Sequence, residues 1–293
     1  MTVKKLIINE DNSGRRIDNY LLSIFNSLPR SKIYNIIRKG EVRVNSSRIK
    51  PSYRLEEGDL VRIPPNLEFT KVSPKKIDKK LIDKHTHSIL FENKNYIIAN
   101  KQNNISVHSG TKNFIGLIDI FRKKYGDNID LCHRLDKTTS GCLVFGKNKK
   151  AIKNFTDCLL NKEVKKTYTA LIKGSFKGEE VINKAIYKND KLKSKNATSK
   201  FLSIELLRNT TLVDIKIFTG RTHQIRIHAS QINHPILFDK KYGDTQFDES
   251  LNIGKYNMAL HSKEISFPDI DSNIIKVSSG YPDDFKDLIK NLR

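Results

Sequence analysis

The run HRLDKTTSG, His133 to Gly141, sets one carboxylate, Asp136, among turn-forming residues close behind an arginine. Thr138, Thr139, Ser140 and Gly141 favour a loop that would hold the aspartate at a sheet edge. An aspartate in such a place is ordinarily a cap or a turn former. It becomes a reactive group if it stays ionised while enclosed. Low dielectric raises a carboxylate's pKa, so a fixed cation must stand beside it. A carboxylate held in that way can trap or stabilise an electron-poor carbon.

The run FTGRTHQIRIH offers the cation. Gly220 suits a tight turn, and Arg221 is expected to open a helix with Ile225, Ala229 and Ile232 on one face. Arg226 and His228 read equally well as phosphate contacts or as surface residues. Tyr168, in KKTYTALIKG, is on its own a core tyrosine with a polar tip.

The rest of the chain narrows the partner. Its 293 residues hold 54 Lys and Arg against 32 Asp and Glu, a net charge of +22. Such an excess attracts polyanions through counterion release, and nucleic acid leads that class. A Lys-rich solvated surface would carry the same charge with no ligand. Cys132, Cys142 and Cys158 form no C-x-x-C pair, so neither a disulfide framework nor a zinc knuckle is indicated, and a reducing cytoplasm is expected. No stretch has the eighteen or so consecutive apolar residues of a membrane span.

Two units are expected. Between Gly14 and Leu28, Ile17, Tyr20, Leu21, Ile24, Phe25 and Leu28 recur at helical steps, and Pro29 ends the run. Ser31 is expected to cap a second helix carrying Ile33, Ile36 and Ile37 inward, stopped by Gly40. EVRVNSSRI and DLVRIP then read as short strands. Residues 12–75 thus form a small α-β module whose exposed Arg30, Lys32, Arg38, Lys39 and Arg43 can meet phosphates. Residues 76–87 read as a solvated linker with room for one helical turn. From 88 to 293, β-rich runs such as NYIIAN, GCLVFGK and TLVDIKIFT alternate with helical stretches around 115–125 and 151–160. That pattern predicts an α+β domain with a mainly antiparallel mixed sheet flanked by helices and loops.

GRRIDNYL together with PRSKIYNIIRKGEVRVNSSRIKPSYRLEEGDLVRI resembles the RNA-binding module first known from ribosomal protein S-four. HRLDKTTSG resembles the H-R-L-D-x-x-T-S-G signature of the RluA family of pseudouridine synthases, and KKTYTALIKG and GRTHQIR are similar to two further motifs of that family. The resemblance implies an isomerase that needs no cofactor or metal and converts uridines of large-subunit ribosomal RNA to pseudouridine. It makes Asp136 the nucleophile, pairs it with Arg221, and stacks Tyr168 on the target uracil, where its hydroxyl is expected to assist proton removal at carbon five. It implies that Arg134, beside His133 at the loop mouth, fills the space left by an everted nucleotide and binds its phosphates. A monomeric chain is expected. Two positions depart from the family pattern. Gln102 and Asn104 stand where proline and glycine are usual, and LHSKEISFPDID lacks the usual histidine before proline. Asparagine tolerates positive φ, so the first loop is expected to keep its path.

Other chemistries fit less well. The histidines show no metal-ligand spacing. A glycosidase ordinarily needs a second carboxylate across the scissile bond, whereas the residues around Asp136 are cationic. No phosphate-binding glycine loop occurs. An RNA-binding factor without activity remains the reading from another class.

Overall fold

A computed structural model describes residues 4–9, 12–25, 28–65, 67, 77–109, 115–187 and 194–293. The chain divides into two compact units, Met1–Lys76 and Ile77–Arg293. Among the described residues no helix is long and apolar enough to cross a membrane.

In the first unit, strand β1 (Lys4–Ile7) precedes helices α1 (Ile17–Ile24) and α2 (Arg30–Arg38), and strands β2 (Arg43–Val44), β3 (Ser47–Arg48) and β4 (Leu60–Ile63) follow. The four strands form one antiparallel sheet in the order β1-β4-β2-β3. Ile17, Leu21 and Phe25 of the first helical run meet Ile33, Ile36 and Ile37 of the second, with Val44, Val61 and Ile63 from the sheet beneath. The helical steps in the sequence produce this core. Two details differ from expectation. Strand β1 lies ahead of the expected start at residue 12. Ser31 sits inside α2, whose N-cap is Pro29. Proline's fixed φ suits a helix start without any side-chain cap.

The second unit begins with helix α3 (Lys79–Thr86), where a linker was expected. The Asp78 side chain caps it by accepting from the Lys80 N–H, and Leu81 and Ile82 pack on the domain core. The surrounding lysines made this stretch read as solvated, although its apolar pair faces one way.

The elements that follow are β5 (Ile89–Glu92), β6 (Tyr96–Lys101), α4 (Leu117–Tyr125), β7 (Asp130–Leu131), β8 (Ser140–Gly146), α5 (Lys149–Leu160) and β9 (Lys165–Lys173). After them come β10 (Glu179–Asn183), β11 (Ile186–Tyr187), β12 (Ser194–Lys195), β13 (Thr198–Leu207), β14 (Thr210–Ile217), α6 (Gln224–Gln231) and α7 (Thr245–Ser250). The described chain closes with β15 (Leu260–Pro268), β16 (Ile274–Ser278) and α8 (Asp283–Leu292).

One sheet runs β10-β13-β14-β9-β15-β8-β6-β5, with β16 on β15 and β7 on β8. Its pairings are antiparallel except one: β15 lies parallel to β8, His261 opposite Ser140 and Ser262 opposite Gly141. The fold is therefore α+β with a mainly antiparallel mixed sheet. Strand β8 is buried on both faces, which explains its unbroken apolar run SGCLVFG. Leu143 and Phe145 enter the main core with α4 and α8, while Cys142 and Val144 pack on the other face with Phe155 of α5.

Candidate active site

Asp136 lies in the expected turn, which runs from β7 into β8; β8 is an inner strand between β15 and β6, so the turn caps a strand end and not the sheet edge that was expected. The Thr139 N–H donates to the Asp136 carbonyl, and Leu135 anchors the turn in the core. Gly141 closes the turn at φ +102°, and a Cβ there would stand 2.2 Å from the Ser262 carbonyl oxygen. Only glycine allows β8 to approach β15 this closely.

From beneath, the Lys101 ammonium at the end of β6 donates to the carbonyls of Lys137 (3.0 Å), Thr139 (2.6 Å) and Gln102 (3.0 Å). Lys101 is 1% exposed. Burial brings its pKa down to about 7, with the Asp136 charge opposing that fall. The neighbouring Asn104 takes φ +65° and donates to Asn257 Oδ1, so asparagine does hold a left-handed residue here.

The cation at Asp136 is not Arg221. Arg226 Nη1 donates to Asp136 Oδ2 at 3.1 Å, while its Nε and Nη2 make a two-point contact with Asp239, each at 2.7 Å. Arg221 is exposed, and its Nε donates to the Asn196 carbonyl. The cause lies in where the helix starts. Helix α6 begins at Gln224, three residues later than expected, because His223 adopts φ +55° at its N-cap. Arg221 is left in the preceding turn. Gln224 holds that turn by accepting from the Arg221 N–H and the Thr219 hydroxyl and donating to the Thr198 carbonyl and Ser199 Oγ.

Burial disfavours charge on both Arg226 and Asp239, yet their mutual hydrogen bonds prevail. The arginine's pKa rises and the aspartate's falls, helped by the Lys241 and Tyr242 N–H groups on Asp239. Arg226 is thus neither a phosphate contact nor a surface residue. His228 is likewise buried, between Ser199 Oγ and the Lys184 carbonyl. His223 adds a second nitrogen 3.8 Å from Asp136 Oδ2. Burial lowers its pKa against the pull of Asp136, and its Nδ1 is hydrogen-bonded to the Tyr242 hydroxyl.

A cavity of about 520 Å³ opens over these groups, lined among others by Asp136, Tyr168, Arg221, His223, Arg226 and Leu260. Tyr168 projects from β9 and is buried. Burial pushes its phenol well above the ordinary range, with Ser262 opposing and Asp136 adding to the rise, so the hydroxyl stays protonated. Arg134 is exposed and lines the same cavity. His133 is half-buried and turned inward: its Nε2 accepts from the Val144 N–H and its ring stacks on Phe155. That engagement departs from a simple RNA-contact role. In the first unit Arg30, Lys32, Arg38 and Lys39 are exposed, whereas Arg43 is half-buried and donates to the Gly40 and Ser46 carbonyls.

Comparison with known proteins matches residues 95–231 to RNA pseudouridylate synthase and residues 15–61 to the S4 domain. Ribosomal large subunit pseudouridine synthase C of Haemophilus influenzae is 41% identical over 282 residues, covering 91% of this chain and 87% of that protein. The chain belongs to the RNA pseudouridylate synthase family. The protein of the same name from Escherichia coli O157:H7 is 33% identical over the whole chain and 97% of its own length. Among solved structures, human RNA pseudouridylate synthase domain containing 1 has 26% identity and a TM-score of 0.58, covering 67% of this chain and 83% of that one. Membership in this family makes the chain an isomerase, and the separate match at residues 15–61 gives it an S4 domain.

Lys101, Asp239 and Gln224 are the parts of the site that the sequence did not disclose. Lys101 closes an apolar strand and Asp239 follows PILF, yet nothing local marks either as buried. Arg226 stood in the open within GRTHQIR, five residues past the arginine expected to pair.

Proposed function

We propose that this chain isomerises uridines of large-subunit ribosomal RNA to pseudouridine, a reading supported by its likeness to ribosomal large subunit pseudouridine synthase C. The observation that carries the reading is the Asp136 carboxylate, 21% exposed at the cavity, held by the one Arg226 nitrogen that Asp239 leaves over. That carboxylate is reachable by a ligand and aimed by a fixed cation, as a nucleophile requires.

The reaction breaks the bond between uracil N1 and ribose C1′, turns the base, and joins its C5 to C1′. The C5 hydrogen is lost and N1 gains a proton, so product and substrate are isomers. Asp136 engages the electron-poor sugar while the base is free. Tyr168 presents its ring as a stacking surface and meets the substrate protonated. Eversion of the uridine costs a few kcal/mol, and Arg134 at the cavity mouth offsets part of it by taking the vacated place. In the S4 unit, Arg30, Lys32, Arg38 and Lys39 supply the sequence-independent grip on phosphates.

Mapping of pseudouridine in ribosomal RNA from cells with and without the protein tests the reading. Sites that vanish with the protein and return with wild type but not D136N support it. Restoration by D136N removes Asp136 from the mechanism.

A further inference from the structure

The catalytic cavity continues past Asp136. Beyond Lys166 and Phe218 it adjoins a second hollow of about 350 Å³, whose walls include Lys162, Lys165, Lys166, Lys216, Phe218 and Glu264. Lys162, Lys166 and Phe218 line both spaces. Among the described residues the one carboxylate lining the second hollow, that of Glu264, is already engaged by the Lys276 ammonium at 3.4 Å and the Ser278 hydroxyl at 3.1 Å.

Lys166 stands two residues before Tyr168 on β9, so the two side chains rise from the same face of the sheet. It is half-buried and, among the described residues, its ammonium forms no hydrogen bond or ion pair, although its backbone pairs with Ile265 of β15. The titratable groups that feel its charge are Cys132 and His133, and burial disfavours the charged form of both. Burial likewise lowers the pKa of Lys166, to about 8. An enclosed cation with no counter-charge destabilises the free protein. Phe218, next along the rim, leaves 57% of its surface exposed. An exposed aromatic beside a basic groove is the arrangement on which single-stranded bases stack.

We propose that Lys166 binds the phosphate of the nucleotide flanking the everted uridine, and that Phe218 is the platform for that neighbour's base. This assignment rests on the pseudouridine synthase reading. It makes the second hollow the track of the RNA strand as it leaves the catalytic cavity, and Lys166 a substrate-binding residue whose missing partner is the substrate.

The test compares wild type, K166M, K166R and F218A on a large-subunit ribosomal RNA transcript, by direct binding across a salt series and by steady-state kinetics. K166M should raise KM roughly tenfold, the loss of one charge-assisted hydrogen bond, while kcat changes less than about twofold. Its plot of log affinity against log salt should be shallower by about one. Its melting temperature should equal or exceed that of wild type, since an unpaired charge has gone, whereas a structural lysine would lower it. K166R should restore most of the affinity, and F218A should raise KM by about fivefold or more. A wild-type salt slope and affinity in K166M overturn the proposal, as does a fall in kcat alone. Absence of pseudouridine from wild-type reactions overturns the underlying reading, while the salt slope still decides whether Lys166 meets a phosphate.

Discussion

Asp136 and Arg226 are ninety residues apart in the chain and 3.1 Å apart at the cavity. The arginine is itself gripped by Asp239, so the carboxylate at the cavity rests on a buried ion pair. Replacing Arg226 by Met should cost about 3 to 5 kcal/mol, because Asp239 would be left buried and unpaired. R226K keeps a charge but loses the planar two-point contact, and should turn over roughly 100-fold more slowly through misplacement of Asp136. R221A should leave stability within about 0.5 kcal/mol of wild type. Urea unfolding and pseudouridine assays on the three variants check this ordering. A larger loss of stability in R221A than in R226M would reverse the assignment.

Lys101 is the second brace. K101M removes the donor from three carbonyls, two of them in the turn that carries Asp136, and should destabilise the chain by about 2 to 3 kcal/mol. The kcat should fall more than RNA affinity, since the group never faces the ligand. Equal kcat in K101M and wild type would show that the turn holds itself.

Acid stability should follow the enclosed histidines. Burial lowers the pKa of His133, His228 and His261, the last to about 4. Between there and pH 6.5 the unfolded chain binds protons that the folded chain refuses, so stability is full above pH 6.5 and declines as pH falls toward 4. Asp248, raised to about 6 chiefly by burial, opposes part of this decline because its folded form keeps a proton. Melting temperature measured from pH 7.5 to 4 should therefore drop on the acid side, and H261N should lessen the drop. A flat profile would show that these rings become charged without unfolding.

On α2 and its C-cap, replacing Lys32, Arg38 and Lys39 together by glutamine should weaken RNA binding and lower the salt slope by about two to three, with melting unchanged, because all three are exposed. An unchanged slope would place the phosphate contacts elsewhere.

The elements were legible where the signal is local. The helical steps from Ile17 to Phe25, the apolar run of β8 and the turn residues after Asp136 each specify their own segment. Contacts between distant segments were not. Arg221 and Arg226 have similar neighbours, and the difference between them is made by Asp239 and by the left-handed His223, neither of which periodicity reports. The parallel pairing of β15 with β8 is also invisible locally, since each strand reads as an ordinary apolar run. The helix at 79–86 was hidden by its lysines, although Asp78 and the Leu81-Ile82 pair were there to be read.

That parallel pairing sets a schedule for the nascent chain. Gly141 leaves the ribosome some 120 residues ahead of Ser262, the residue it packs against. The S4 unit can fold during that interval, while the strand that lies parallel to β8 is still to be made. The sheet that carries the Asp136 turn is thus completed after the S4 unit, an order written into strand connectivity.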